Sequence, residues 1–144
     1  MSGATPTVGH MSDDTPLWLF ADQLSPAVYG GEHAHREVLL VEATSALAKR
    51  RYHRQKLHLV LSALRHADRD LGDRAALVTA DTYTDALERF KRPVLVHEPT
   101  SHAAEKFVHR LRKQGLVADI LPTPTFALSR KGFEEWAGER TRFR

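Results

Sequence analysis

The sequence contains no cysteine, and this absence excludes several kinds of chemistry. Disulfide bonds, thiolate metal sites, iron–sulfur ligation and cysteine nucleophiles all require a thiol from the chain. No apolar run approaches the roughly 20 residues of a membrane-spanning helix. The N-terminus also lacks the basic-then-apolar profile of a signal peptide. We therefore expect a cytoplasmic protein that does not contact a membrane.

The usual motifs for phosphate binding and for nucleophilic catalysis are missing as well. Neither G-x-G-x-x-G nor G-x-x-x-x-G-K-[ST] occurs, which argues against a dinucleotide or nucleoside triphosphate enzyme. Ser25, Ser62 and Ser129 show no nucleophile motif. We therefore expect no catalytic residues. His33 and His35 have no carboxylate at metal-ligand spacing, so we also expect no functional metal.

Length and composition are those of one ordinary globular domain. The chain has 144 residues, of which 42% are hydrophobic and 27% charged, with a formal net charge of +3. Such a mixture of acids and bases argues against a dedicated nucleic-acid module. Residues 1–16 are small, polar and unpatterned, so we expect a disordered leader followed by a single α/β domain over residues 17–144.

Short apolar runs alternate with helical patterns along the chain. We predict helices at about Ser45–Leu71 and Thr82–Phe90, then one capped by Thr100 or Ser101 and ended by Gly115, and a last one at about Ser129–Gly138. The predicted strands are Leu17–Ala21, Glu37–Glu42, Ala75–Ala80, Pro93–His97 and Val117–Leu121. Continuous apolar strands separated by helices are typical of a parallel sheet covered on both faces. The sequence therefore predicts a five-stranded α/β sandwich, Rossmann-like or flavodoxin-like.

Polar residues follow several of these strands, where an open parallel sheet binds its ligands. The candidates are Asp22, Gln23 and Leu24 after the first strand, Glu42 at the end of the second, and Glu98 and Pro99 after the fourth. A basic segment, AKRRYHRQK, begins the long predicted helix and includes Arg51, Tyr52 and Lys56. At this point each residue has two open interpretations. It contributes to a ligand site, or it is a solvated residue that ends a strand or lies on a helix face.

Four stretches together resemble the N-terminal domain of a known family. They are D-Q-L-S at Asp22–Ser25, RYHRQKLHLVLSALRH at Arg51–His66, HEPTSHAAEKFV at His97–Val108 and PTFALSRKGFEEWAGER at Pro124–Arg140. In this order they are similar to the deoxyribodipyrimidine photolyase-related proteins, which include iron–sulfur bacterial cryptochromes and (6-4) photolyases. The resemblance covers about residues 17–144.

The resemblance implies a photolyase-type α/β domain that holds a light-harvesting antenna pigment. In the family this pigment is typically 6,7-dimethyl-8-ribityllumazine, and a following helical domain binds FAD and an iron–sulfur cluster and repairs DNA. The sequence stops at Arg144, where that helical domain would begin. We therefore expect no FAD and no cluster in this chain, and contact with DNA only through a helical domain. Whether the chain is a fragment or a free-standing domain stays open.

By the same resemblance, the cofactor-binding residues would be Asp22, Gln23, Leu24, Glu42, Tyr52, Glu98 and Pro99. They would contact a flat heterocycle and its ribityl hydroxyls. Relatives often carry an acid and an aromatic residue early in the long helix, where this chain has small and basic residues around Ala46 and Lys49. The pigment is therefore expected to be lumazine-like or flavin-like, with its identity open.

Two other functions remain as alternatives. In a phosphoacceptor receiver domain, Asp22, Asp81 and Thr100 would supply three of the required groups, but the fifth strand ends in Pro122 and Thr123, with no lysine there. In an interaction domain, an apolar surface would dock a separate helical partner, and the candidate residues are Phe133, Trp136 and Phe143. For Trp136 we favour a place in the domain's own core.

Overall fold

The computed structural model describes residues 13–49 and 53–138. Its strands are β1 (Leu17–Leu19), β2 (Val38–Ala43), β3 (Ala75–Ala80), β4 (Val94–His97) and β5 (Val117–Leu121). All neighbouring strands pair in parallel, in the order β3-β2-β1-β4-β5. The predicted five-stranded parallel sheet is confirmed. Its strand order is the Rossmann type, and the flavodoxin-like order, 2-1-3-4-5, is not adopted.

Helices cover both faces of this sheet. They are α1 (Pro26–Tyr29), α2 (Thr44–Lys49), α3 (Arg54–Leu71), α4 (Tyr83–Phe90), α5 (His102–Lys113) and α6 (Arg130–Ala137). On one face, α1 and α3 bury Val28 and Leu64 against strand residues such as Leu19. On the other, α4 and α5 bury Leu87 and Val108 in a cluster that includes Trp18. Alternate residues of each strand point to opposite faces, so each face has its own apolar core.

The single long helix predicted at Ser45–Leu71 is wrong, because the segment forms two helices. His53, just before α3, has an extended backbone, with φ −55° and ψ 141°, and its ring Nδ1 accepts a hydrogen bond from Gln55 N at 3.4 Å. Arg51 and Tyr52 lie outside the described residues. The break places Lys49 in the last turn of α2, where a cation is favourable to the helix dipole.

The predicted disordered leader does not extend to residue 16. Arg36 Nη1 donates hydrogen bonds of 2.9 Å to the backbone carbonyls of both Asp13 and Thr15. Leu95 N of β4 donates to Pro16 O at 2.8 Å. Residues 13–16 are therefore attached to the sheet, and residues 1–12 lie outside the described range.

The prediction that Trp136 completes the core is also wrong. Phe133 and Trp136 share one face of α6, as the pattern predicted, with ring centroids 5.8 Å apart. Their side chains are nevertheless 49% and 54% exposed, and Phe126 and Leu128 nearby are 59% and 49% exposed. Residues 126–136 therefore present an apolar surface to solvent. Phe143 lies outside the described residues.

Candidate ligand site

The strand order creates a crevice at the carboxyl ends of β1 and β4. The chain leaves β1 towards α1 on one face of the sheet and leaves β4 towards α5 on the other. This divergence is the topological switch point at which open α/β sheets bind their ligands. A cavity of about 550 Å³ lies there, within the range of roughly 300–1,000 Å³ typical of small-molecule sites. We call it the switch-point cavity.

Aromatic side chains form part of the wall of the switch-point cavity. Phe20 follows β1, Tyr83 begins α4 and Phe107 lies in α5, and all three line the cavity. The ring centroids of Phe20 and Tyr83 are 6.1 Å apart, as are those of Tyr83 and Phe107. Behind them Trp18 is fully buried, 4.5 Å from the Phe20 ring. This arrangement offers the faces and edges of several rings to an aromatic ligand.

Polar groups lie at the opening of the same cavity. Thr100 Oγ1 donates a hydrogen bond to Asp22 Oδ2 at 3.3 Å, which connects the loops that follow β4 and β1. Ser101 caps α5 by accepting a hydrogen bond from Ala104 N at 3.2 Å. Lys56, in the first turn of α3, is a further lining residue. The opening therefore provides a carboxylate, two hydroxyls and an ammonium group for a polar substituent.

Of the residues predicted for the ligand site, Asp22 and Pro99 line the switch-point cavity. Gln23 is 5% exposed, and its Oε1 accepts a hydrogen bond from Phe20 N at 3.2 Å. It closes the turn that ends β1 at Leu19, before the predicted Ala21. Leu24 packs against the core on the α1 and α3 face.

Glu42 lies on the α3 face of the sheet, away from the lining of this cavity. It is 6% exposed, and its carboxylate accepts hydrogen bonds from Arg65 Nε at 3.1 Å and Thr79 Oγ1 at 3.3 Å. These partners account for a buried carboxylate without a ligand. Glu98 lines a second, smaller cavity, to which Pro99 also contributes. Tyr52 lies outside the described residues.

The aromatic wall was missed in the sequence. Phe107 fits the apolar stripe of its helix, and Phe20 continues the apolar run of β1, so the sequence pattern does not distinguish either from a core residue. Tyr83 directly follows the helix cap Thr82, a position that carries no signal of a ligand site. All three are partly buried and pack against the core while also facing the cavity. Only the strand order, which brings β1 next to β4, unites them.

The receiver alternative is contradicted by the topology. A receiver has the strand order 2-1-3-4-5, which places β3 beside β1. Here β2 lies between them, and β3 is at the sheet edge. Asp81 accepts a hydrogen bond from Thr44 Oγ1 at 3.3 Å, whereas Asp22 accepts from Thr100. The two aspartates therefore do not form one acidic cluster.

Within residues 13–49 and 53–138, no group of three or more histidine, aspartate or glutamate side chains is arranged to hold a metal ion. No helix in those ranges combines the length and the apolar composition required to cross a bilayer.

Two histidines, His33 and His97 at the end of β4, pack against each other. The rings of His33 and His97 lie 5.6 Å apart, and His97 is 3% exposed. His33 Nδ1 and His97 Nε2 are buried and have no hydrogen-bond partner among the described residues. Burial lowers the pKa of His33, His97, Arg36 and His35 lower it further, and Glu32 opposes them. Folding therefore favours the neutral form of His33.

We expect this histidine to make the domain less stable in acid. Because the pKa of His33 is lowered on folding, the unfolded chain binds its proton more tightly. The stability that comes from burying a neutral His33 is fully present above the pKa of the unfolded chain, about 6.5. It is lost as the pH falls through the lower pKa of the folded protein. Urea unfolding between about pH 8 and pH 5 should show a shallower decline for His33→Phe, which keeps a ring beside His97. His66→Gln, at an exposed site on α3, is the control. Parallel curves for His33→Phe and wild type would contradict the prediction.

Fold and site together define a class: a doubly wound α/β domain with an aromatic-walled crevice at its switch point. Residues 17–144 match the family described as deoxyribodipyrimidine photo-lyase-related protein. Since this match covers nearly the whole chain, the protein belongs to that family. Comparison with curated proteins gives no match.

Proposed function

We propose that this domain is an antenna-type domain that holds a planar chromophore, lumazine-like or flavin-like, in the switch-point cavity. The observation that carries the proposal is a cavity of about 550 Å³ with Phe20, Tyr83 and Phe107 in its wall and Asp22 at its opening. Apolar and aromatic linings with a few placed polar groups are usual for such ligands. Membership of the photolyase-related family supports this choice of ligand class.

In this proposal the heterocycle packs against the aromatic wall and the ribityl chain extends towards the opening. Its hydroxyl groups would donate to the Asp22 carboxylate and exchange hydrogen bonds with Thr100 and Ser101. Excitation energy transfer depends on placement and on the electronics of the pigment, so the domain needs no general acid or base. FAD, the iron–sulfur cluster and DNA repair would belong to a helical domain, and we retain a cytoplasmic location as a prediction.

The test is a titration of the purified protein with 6,7-dimethyl-8-ribityllumazine, riboflavin and a deazaflavin. Trp136→Phe leaves Trp18 as the only tryptophan, and Trp18 lies directly behind the cavity wall. We expect saturable quenching of its fluorescence by at least one of the three ligands. Asp22→Asn removes the charge and replaces one acceptor oxygen by an NH2 donor. It should weaken binding by about tenfold if the carboxylate accepts hydroxyl hydrogen bonds. Failure of all three pigments to bind would refute the proposal.

A second candidate function is docking of a helical partner domain. The exposed apolar surface formed by Phe126, Leu128, Phe133 and Trp136 favours it, because contiguous apolar patches often mark interaction sites. Such docking is compatible with an occupied cavity. A separately expressed helical domain of the photolyase-related type should bind this chain and lose affinity for Trp136→Ala.

A further inference from the structure

A second cavity, of about 200 Å³, shares Pro99 with the lining of the switch-point cavity. We call it the Glu98 cavity. Its walls come from the loop after β4, from α5, from β5 and from the first residue of α6. Glu98, Glu105, His109, Arg112, Ile120 and Arg130 line it together with Pro99. It is less than half the size of the switch-point cavity and too small for a tricyclic pigment with its ribityl chain.

Most of the charged groups around the Glu98 cavity already have partners. Arg130 pairs with Glu105 and donates to Pro99 O at 3.3 Å. Arg112 Nη2 pairs with Asp119 Oδ1 at 3.0 Å. A guanidinium group carries five N–H donors, so both arginines keep donors for a further acceptor.

Glu98 differs from its neighbours. Its backbone N–H donates to Leu121 O at 2.8 Å, which fixes the residue at the end of the sheet. Its side-chain Oε2 is buried and accepts no hydrogen bond from any residue in the described part of the chain. A buried carboxylate oxygen without a donor is costly, and native structures usually satisfy such an atom with water, an ion or a ligand. Oε2 is closed to a water-sized molecule, so a donor in the cavity that Glu98 lines would meet the other oxygen of the carboxylate, Oε1.

The charged side chains around the Glu98 cavity indicate which kind of ligand it would bind. Two carboxylates, of Glu98 and Glu105, and two guanidinium groups, of Arg112 and Arg130, border the same small volume. Their formal charges cancel, which disfavours a ligand with a large net charge. A molecule with a cationic donor for Glu98 and an anionic group for the arginines fits both requirements. We propose that the Glu98 cavity binds a small zwitterion of the amino-acid type, with its ammonium group on Glu98 and its carboxylate on Arg112 and Arg130. This proposal does not depend on the chromophore proposal, although Pro99 borders both cavities.

The experiment uses the whole chain and a series of ω-amino acids, namely β-alanine, 4-aminobutyrate and 6-aminohexanoate. Their two charges are separated by increasing lengths, so the best ligand measures the distance between Glu98 and the guanidinium groups. Titrations are followed through the backbone amide NMR signals of Glu98, His109, Arg112, Ile120 and Arg130. We expect saturable shifts with a dissociation constant of about 1 mM for one member. Butylamine and butyrate, each with one charge, should bind at least about tenfold more weakly.

Two matched variants decide the role of the carboxylate. Glu98→Gln keeps the shape of the side chain and should weaken binding by about tenfold or more, because a charge-assisted hydrogen bond is lost. Glu134→Gln, at an exposed position on α6, should bind as wild type does. Circular dichroism and binding of the chromophore in the switch-point cavity report whether Glu98→Gln is folded. The proposal fails if no amino acid of the series shifts these signals, which would leave water as the occupant. It also fails if Glu98→Gln and wild type bind equally well.

Discussion

Ala104→Phe should abolish chromophore binding in the switch-point cavity. Ala104 lies in the first turn of α5, lines the cavity, and is only partly buried. Its backbone N–H bond to Ser101 does not depend on the side chain, so the helix cap should survive the substitution. A phenyl ring at this position would project from the helix into the volume that the pigment needs. We expect affinity to fall by about 100-fold or more, which corresponds to about 2.7 kcal/mol.

The matched control for this variant is Ala118→Phe. Ala118 is exposed on β5, at the edge of the sheet, and is not a lining residue of either cavity. Fluorescence titration of both variants separates blocking of the site from a general effect of an added aromatic ring. Unfolding curves establish that Ala104→Phe is folded at the temperature of the titration. Wild-type affinity in a folded Ala104→Phe protein would place the pigment elsewhere.

The elements of this fold follow from the sequence more directly than their arrangement does. Ala75–Ala80 and Val117–Leu121 have the predicted bounds, because each is an apolar run enclosed by helix ends and turn residues. Thr82 and Ser101 cap their helices through the side-chain hydrogen bonds expected of such residues. An apolar run carries no information on its neighbour in the sheet. For this reason both the Rossmann and the flavodoxin order were compatible with the same pattern.

The break before α3 shows where local patterns fail. The apolar stripe of Leu57, Val60 and Leu64 lies within α3, and no glycine or proline separates it from Ser45, so the sequence shows no break. The cap at the break is His53, a residue type outside the strongly preferred N-cap residues. A helix start with no usual cap gives no signal in a single sequence.

The sequence predicts the residues of the candidate site that follow strand ends, but not the aromatic residues of its wall. Asp22 and Pro99 line the cavity because strand ends meet at the edge where parallel sheets bind ligands. Gln23 and Glu42 also lie at strand ends, but their polar atoms are occupied by Phe20 N and by Arg65 and Thr79. These hydrogen bonds depend on side-chain geometry. The position of a residue at the end of a strand does not show whether it forms them.

Trp18→Ala should destabilise the domain by about 3–5 kcal/mol, a large part of the roughly 5–15 kcal/mol that holds a typical domain folded. Trp18 is the largest of the fully buried side chains in the described part of the chain. Its ring lies 4.5 Å from that of Phe20 and 5.6 Å from that of Tyr83. Removing the indole would leave a void under the aromatic wall, since Phe20 is held by its backbone hydrogen bond to Gln23 and Tyr83 by α4. The measurement is the free energy of unfolding in urea, with the chromophore absent.

The second tryptophan of this chain provides the matched control. Trp136 is 54% exposed, so Trp136→Ala should change the free energy of unfolding by less than about 1 kcal/mol. Trp18→Phe distinguishes the effect of lost packing volume from the effect of the indole N–H. Trp18 Nε1 is buried without a partner among the described residues. Phenylalanine loses part of the packing but also removes that unpaired donor, so its cost should be clearly smaller than that of alanine. Equal losses for Trp18→Ala and Trp136→Ala would contradict the position of the core, and with it the wall against which the pigment is proposed to bind.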